Sequence, residues 1–244
     1  MVKRESKSIR GLVLSFVPFK DDSAIVTVAT DNGVTSFLAS GIYKPKSPLK
    51  PMLLSFSFLE IEYKEGRILQ ATYAKCIFDS SVFFTDYRSN IFLSWLQELS
   101  LLLFNEGDSF PLKDYLSVLS AFQNKCDLLS ISILLLGSIY KTLGLKIKTN
   151  SCYRCGANNE LVSYSLQGGG FLCKKCSETL QYPPKSEMNL FILKFAFMDI
   201  ESKTLSKIVP KKEGKIILTD LLDNLMSYFD IKKLVSLPLF LEVL

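Results

Sequence analysis

Cys152-Tyr153-Arg154-Cys155 and, seventeen residues on, Cys173-Lys174-Lys175-Cys176 decide how this 244-residue chain divides. Two C-x-x-C pairs at that separation can wrap one tetrahedral cation, because each forms a tight knuckle that aims both sulfurs at one point. Thiolates are soft ligands, and four of them leave no open position for water or substrate. The expected occupant is therefore one structural Zn2+ held by Cys152, Cys155, Cys173 and Cys176. Two disulfides, or an iron–sulfur cluster with unusual spacing, stay open on the cysteines alone. A redox C-x-x-C normally opens a helix. Here Gly156 and Gly168-Gly169-Gly170 flank the pairs, and nothing helical is expected to follow either one closely. Cys76 and Cys126 stand alone in apolar contexts and read as buried side chains.

Outward from the knuckles, Leu161 to Ser165 and Phe171-Leu172 read as two short strands, which makes residues 150–178 a zinc ribbon inserted in a helical domain. On its N-terminal side lie three helical stretches: Ile91 to Phe104, Leu112 to Phe122 after Pro111, and Leu128 to Leu143 stopped by Gly144. The third is the longest apolar run of the chain. It contains Ser130, Ser132, Gly137 and Ser138 and is too short to cross a bilayer, so it reads as a buried helix. On the C-terminal side, Met188 to Met198 resumes helical spacing, Lys203 to Lys215 reads as a basic loop around Pro210, and Ile216 to Phe229 is the last clear helix.

The first eighty residues have a different texture. From Ser8 to Phe78 the apolar period is close to two, with β-branched and aromatic residues dominant. Five strands are expected: Ile9 to Val17, Ala24 to Thr30, Val34 to Ser40, Leu53 to Tyr63 and Ile68 to Phe78. Asp31-Asn32-Gly33 signals a hairpin, with Asn32 and Gly33 suited to positive φ, and Glu65-Gly66 plays the same part between the last two strands. Five strands in so short a stretch suit a small closed barrel. The oligonucleotide-binding (OB) barrel leads and an SH3-like barrel fits nearly as well. The expected fold is thus a multi-domain α+β chain: an OB-fold barrel over residues 1–80, then an all-α domain over 81–244 interrupted by the four-cysteine ribbon.

Composition narrows function. Hydrophobic residues make up 48% of the chain, enough to build cores and to argue against extended disorder. The net charge of +5 is mild, but residues 1–50 hold eight basic residues against four acidic ones, so the excess sits in the barrel. Between the third and fourth strands, Gly41-Ile-Tyr43-Lys44-Pro45-Lys46-Ser47-Pro48-Leu49-Lys50-Pro51 is a proline-stiffened basic loop beside an aromatic ring. Such a loop can follow a phosphate backbone while the ring stacks on a base, or it can simply be solvated. The chain has no histidine, which removes imidazole bases, triads and histidine metal sites. There is no phosphate-binding loop and no dinucleotide fingerprint. Glu60 and Glu62 share a strand face better explained by solvation than by catalysis. The chain is read as a non-enzyme. Met1-Val-Lys-Arg and the apolar run Gly11 to Val17 imitate a signal peptide, but Pro18 ends the run and no small-residue cleavage site follows. A cytoplasmic location is expected, in keeping with metal-spaced rather than disulfide cysteines.

Taken together, these residues resemble the bacterial DNA repair family RecO over nearly the whole chain. The resemblance is carried by Gly11-Leu-Val-Leu14, by Ala24 to Thr30 with Asp31-Asn32-Gly33, and by Gly41 with Lys44-Pro45-Lys46-Ser47. It extends through Leu143-Gly144-Leu145 ahead of the first cysteine pair, Gly169-Gly170-Phe171-Leu172-Cys173, and the closing Lys232-Lys233-Leu234-Val235-Ser236-Leu237, similar to the family's C-terminal helix and last short segment. Family members often carry arginine before the glycine matching Gly41, where Ser40 stands here, and two further basic positions are Ile42 and Tyr43. DNA contacts are therefore expected from Arg10, Lys44, Lys46 and Lys50. The resemblance implies a nucleoid-associated recombination mediator that binds single- and double-stranded DNA and anneals complementary strands. It also implies contact with the acidic C-terminal tail of the single-stranded DNA-binding protein SSB and cooperation with RecR to load RecA. No membrane and no small-molecule substrate are implied. The rival readings are a zinc-ribbon adaptor of transcription or translation, and a magnesium-dependent nuclease.

Overall fold

The computed structural model of the protein describes residues 6–244; the basic start Met1 to Arg4 that imitates a signal peptide lies outside the described residues. Five strands, β1 (Lys7–Phe19), β2 (Ser23–Thr30), β3 (Gly33–Ser40), β4 (Phe58–Lys64) and β5 (Leu69–Phe78), close a barrel in the order β1-β2-β3-β5-β4. Within the barrel only the β3–β5 pairing is parallel. This is the OB topology expected from the alternating apolar pattern. Alternate residues turn inward to a core of Val13, Val26, Val28, Phe37, Leu59 and Ile61, with Ile42, Leu49 and Met52 from the β3–β4 connection.

Strand β1 is long because it serves two neighbours: Lys7 to Leu12 pairs with β4, and Gly11 to Phe19 pairs with β2. At the overlap stands Gly11, where a Cβ would lie 2.3 Å from Val28 Cγ1 and 2.9 Å from the Ala29 carbonyl oxygen. Only glycine allows the two ladders to meet there. Thr30 pairs with Gly33 across the β2–β3 turn, as the Asp31-Asn32-Gly33 signal predicts. Of the two residues expected to suit positive φ, Gly33 takes it, at 105°, and Asn32 does not.

The fourth strand begins later than the apolar pattern suggests. Lys50–Leu53 is a 3-10 turn with proline in its first positions, and Phe56 takes a left-handed φ of 64°. Val13 still exchanges backbone bonds with Phe56 and Ser57, at 2.6 and 3.0 Å, but regular pairing starts at Phe58. Proline and a left-handed residue interrupt what hydrophobicity alone reads as one strand.

The chain forms two compact units: Met1–Leu112 with Leu234–Val243, and Lys113–Lys233 with Leu244. Strands give way to helices where the texture changes near residue 80, but the barrel unit also includes helix α1 (Tyr87–Leu103) and the terminal helix α8 (Leu237–Val243). Trp95 of α1 stacks on Phe240 of α8 with ring centroids 4.1 Å apart, and both side chains are fully buried. Glu98 receives the backbone N–H groups of Val235 and Ser236 at 2.6 and 2.8 Å, which fastens the returning segment to α1.

The second unit holds α2 (Leu112–Gln123), α3 (Leu128–Thr142), α5 (Glu187–Ala196), α6 (Ser202–Leu205) and α7 (Lys211–Tyr228) around the ribbon. Asp127 caps α3 by accepting from the Ser130 N–H at 2.9 Å, and every residue from Leu128 to Tyr140 is buried, as expected of a buried helix. Among the described residues no helix is long and apolar enough to cross a membrane. The segment read as a loop, Lys203 to Lys215, instead contains α6 and the first turn of α7. A capping box at Glu201 and Thr204 starts α6, and Pro210 precedes α7.

Candidate metal centre and nucleic-acid interface

The ribbon is a three-stranded sheet in the order β6-β8-β7, from β6 (Lys148–Cys152), β7 (Leu161–Ser165) and β8 (Gly170–Cys173). The two strands read between the knuckles are both present. β6 is an additional strand whose polar sequence, Lys-Thr-Asn-Ser-Cys, gives no alternating signal. A short helix, α4 (Lys174–Thr179), starts directly after Cys173, contrary to the expectation that nothing helical follows the pairs. It lets the second knuckle close by carrying Cys176 in its first turn.

The sulfurs of Cys152, Cys155, Cys173 and Cys176 lie within 4.8 Å of one another, and those of Cys155 and Cys173 are 3.6 Å apart. A tetrahedron of sulfurs each about 2.3 Å from a zinc ion has edges of about 3.8 Å, whereas a disulfide would bring two sulfurs to about 2.0 Å. The donor set therefore fits a single metal ion. Burial opposes ionisation of Cys152, but the N–H groups of Cys173, Cys155 and Arg154 converge on its sulfur and hold its thiol down at about 6. Burial, then hydrogen bonding with the other three sulfurs, pushes Cys176 up to about 12. One cysteine is ready to ionise, and a bound cation would supply the charge the others need. Of the remaining cysteines, Cys126 is half-buried and Cys76 is exposed. The burial expected of Cys76 is corrected by its place near the end of β5, where Lys75, Cys76 and Ile77 are all exposed.

In the barrel, the basic loop is pinned at two points. Ile42 and Leu49 plug into the core, the Ala74 N–H donates to the Pro48 carbonyl at 3.2 Å, and Tyr43 to Lys46 are left exposed. The loop and β5 enclose a cleft of about 720 Å3 lined by Lys44, Lys46, Pro45, Pro48, Ala71 and Thr72 among others. Lys44 and Lys46 thus share one cleft. Lys50 opens the 3-10 turn, and Arg10 stands on the β1–β4 ladder opposite Glu60, which has Lys75 on its other side. Glu60 and its neighbour Glu62 therefore sit in a mixed strand face. Ile42 occupies one of the basic positions of the resemblance because here that side chain fills the barrel.

Sequence reasoning missed two features of this cleft. Asp22, in the β1–β2 turn, pairs with Lys44 at 3.2 Å, and the Lys44 ammonium, followed by the Ser23 hydroxyl, holds its carboxyl below the usual range. Ala71 and Thr72 form the far wall. Neither is close to the loop in sequence: the β2–β3 ladder, which sets Ser23 opposite Ser40, brings Asp22 to it, and the parallel β3–β5 pairing that closes the barrel brings Ala71 and Thr72.

Fold and site together define an OB-barrel protein whose helical part carries a ribbon with four cysteines placed so that they could hold one metal ion. "Recombination protein O N terminal" matches residues 5–77 and "Recombination protein O C terminal" matches residues 85–228. The chain belongs to the recombination protein O (RecO) family, which places it among proteins of DNA repair and recombination. Proteins named DNA repair protein RecO are similar over most of its length. The one from Oceanobacillus iheyensis is 24% identical over 233 residues, 92% of this chain and 87% of that one. The one from Halalkalibacterium halodurans is 24% identical over 90% of this chain and 87% of its own. Among solved structures, an Entamoeba histolytica asparaginyl-tRNA synthetase aligns with 61% of this chain and 35% of its own at TM-score 0.29 and 15% identity, a level that bears on neither fold nor function.

Proposed function

We propose that the protein is a non-enzymatic recombination mediator that binds single- and double-stranded DNA, anneals complementary strands and helps RecR load RecA onto SSB-coated DNA. The observation that carries this reading is the exposed, doubly pinned loop with Lys44 and Lys46 on one cleft of an OB barrel, in a chain of the RecO family. A stiff loop of cations neutralises phosphates of any sequence, and annealing asks only that two backbones be neutralised side by side. Lys44 and Lys46 act in the cleft, with Lys50 and Arg10 adding charge elsewhere on the barrel unit. A structural Zn2+ in the four-cysteine centre would hold the ribbon without taking part in chemistry. The SSB tail, acidic with a hydrophobic end, suits an apolar pocket rimmed by cations in the helical unit. The location that follows from this role is cytoplasmic and nucleoid-associated.

The test is to incubate the full chain with labelled complementary oligonucleotides, bare and SSB-coated. Accelerated pairing on both substrates is expected. Cleavage of the strands would instead favour a nuclease, and no effect with tight binding to a protein or structured RNA would favour an adaptor.

A further inference from the structure

The four positions between the paired cysteines are Tyr153, Arg154, Lys174 and Lys175, so three of the four are cationic. Because all four sulfurs lie within 4.8 Å of one another, the two knuckles abut and these cations belong to one tip of the ribbon. Arg154, Lys174 and Lys175 are exposed, and among the described residues none of the three is in an ion pair. The tip is open: Cys155 and Gly156 are exposed beside Arg154, and a Cβ on Gly156 would meet nothing within 4 Å.

Two features separate this tip from an ordinary solvated surface. Lys174 and Lys175 form the first turn of α4, which has no acidic residue there, although helix N-termini favour acids and disfavour cations. Tyr153, the one aromatic of the knuckles, is committed elsewhere: a Cβ on Gly168 would lie 2.4 Å from its ring, so the ring packs against the glycine run. The tip therefore offers charge without a stacking platform, the combination that suits a phosphate backbone rather than bases.

We propose that the metal tip of the ribbon is a second phosphate-backbone contact for DNA, made by Arg154, Lys174 and Lys175 and separate from the barrel cleft. This rests on the DNA-binding reading of the chain. The competing role for the same cations is to offset the negative charge of four thiolates around a divalent ion.

The experiment compares wild type with R154Q/K174Q/K175Q and with the single variants R154Q and K175Q. Each full chain is loaded with zinc and its metal content measured. Affinity for a labelled oligothymidylate is then followed against salt. Each phosphate contact to a single strand contributes about 0.7 to the log–log salt slope. The triple variant is expected to lose about 2 of that slope and each single about 0.7, with zinc content unchanged. An unchanged slope in zinc-loaded variants overturns the proposal, as does a loss of slope only in variants that have lost zinc, since the cations would then serve the thiolates. A wild type with no salt-dependent binding would sink the DNA reading itself, whereas a wild-type slope that survives all three substitutions sinks only the second contact.

Discussion

The barrel and the ribbon are both small sheets in one chain, yet different interactions hold them. The barrel core has thirteen buried apolar residues, from Val13 to Ala74, and five mutually bonded strands. The ribbon core has four buried residues, Cys152, Leu172, Cys173 and Cys176, three of them metal-ligand candidates. Even with Tyr164 and Phe171, which the same sheet also buries, so small an apolar core offsets little of the conformational entropy of some thirty ordered residues. The barrel is held by hydrophobic area, whereas the ribbon is built around four sulfurs that a single metal ion could tie together.

The largest expected effect follows from that difference. Structural zinc sites contribute roughly 10–16 kcal/mol of apparent binding free energy in small domains. Chelation, or Cys152→Ser, is expected to remove hydrogen-exchange protection from the β6–β8 amides while leaving the β1–β5 amides protected. Equal loss in both sheets would break the comparison. Zinc retention should fall as pH falls, because protons compete with the metal for the thiolates. Retention that improves on acidification would contradict thiolate ligation.

The converse experiment acts on the barrel. Phe37 is fully buried and meets Tyr63 edge-on at 5.4 Å. Phe37→Ala is expected to cost about 3–5 kcal/mol in barrel stability and to leave the metal content of the ribbon unchanged, as read by denaturant melts beside elemental analysis.

A smaller effect is expected at Glu98, whose carboxylate fastens Val235 and Ser236 to α1. Glu98→Ala should cost about 1 kcal/mol, the net worth of hydrogen bonds that water can partly replace at this exposed edge, and the loss should appear in the barrel unit. An unchanged barrel melt would mean that the packing of Phe240 against Trp95 and Phe92 is enough to hold the terminal helix.

What could be read from the chain follows the range of the interactions. The first three strands, their hairpin and the cysteine tetrad are set by spacing within a few residues, and all are legible. The first turn of α7 was not. Lys211-Lys212-Glu213-Gly214-Lys215 reads as a charged loop, yet Gly214 lets this helix approach Leu129 and Val209, where a Cβ would lie 2.7 and 2.9 Å from their side chains. Tertiary packing there outweighs local propensity. β6 was missed because a polar edge strand with parallel pairing carries no alternation. At the candidate site, the cysteines and the pairing of Lys44 with Lys46 were legible. The Asp22 carboxylate was not, because it meets Lys44 through the β2–β3 register that sets Ser23 beside Ser40 rather than through nearness in sequence.

That carboxylate gives the finest test, because it separates the barrel's binding surface from its core. Lys44 and Asp22 are both largely exposed, with side-chain exposures of 68% and 49%, so their ion pair adds little to stability. It does, however, hold an anion beside a cation proposed to meet phosphate. Lys44→Ala/Lys46→Ala should weaken DNA binding and lower the salt slope by about 1.4, at about 0.7 per single-strand contact. Asp22→Asn should do the reverse, tightening binding at low salt with no measurable change in the barrel melt, because it frees Lys44 without touching the core. If Asp22→Asn and Lys44→Ala moved affinity in the same direction, the ion pair would be positioning the loop rather than competing with the strand, and rigidity rather than charge would be what the cleft contributes.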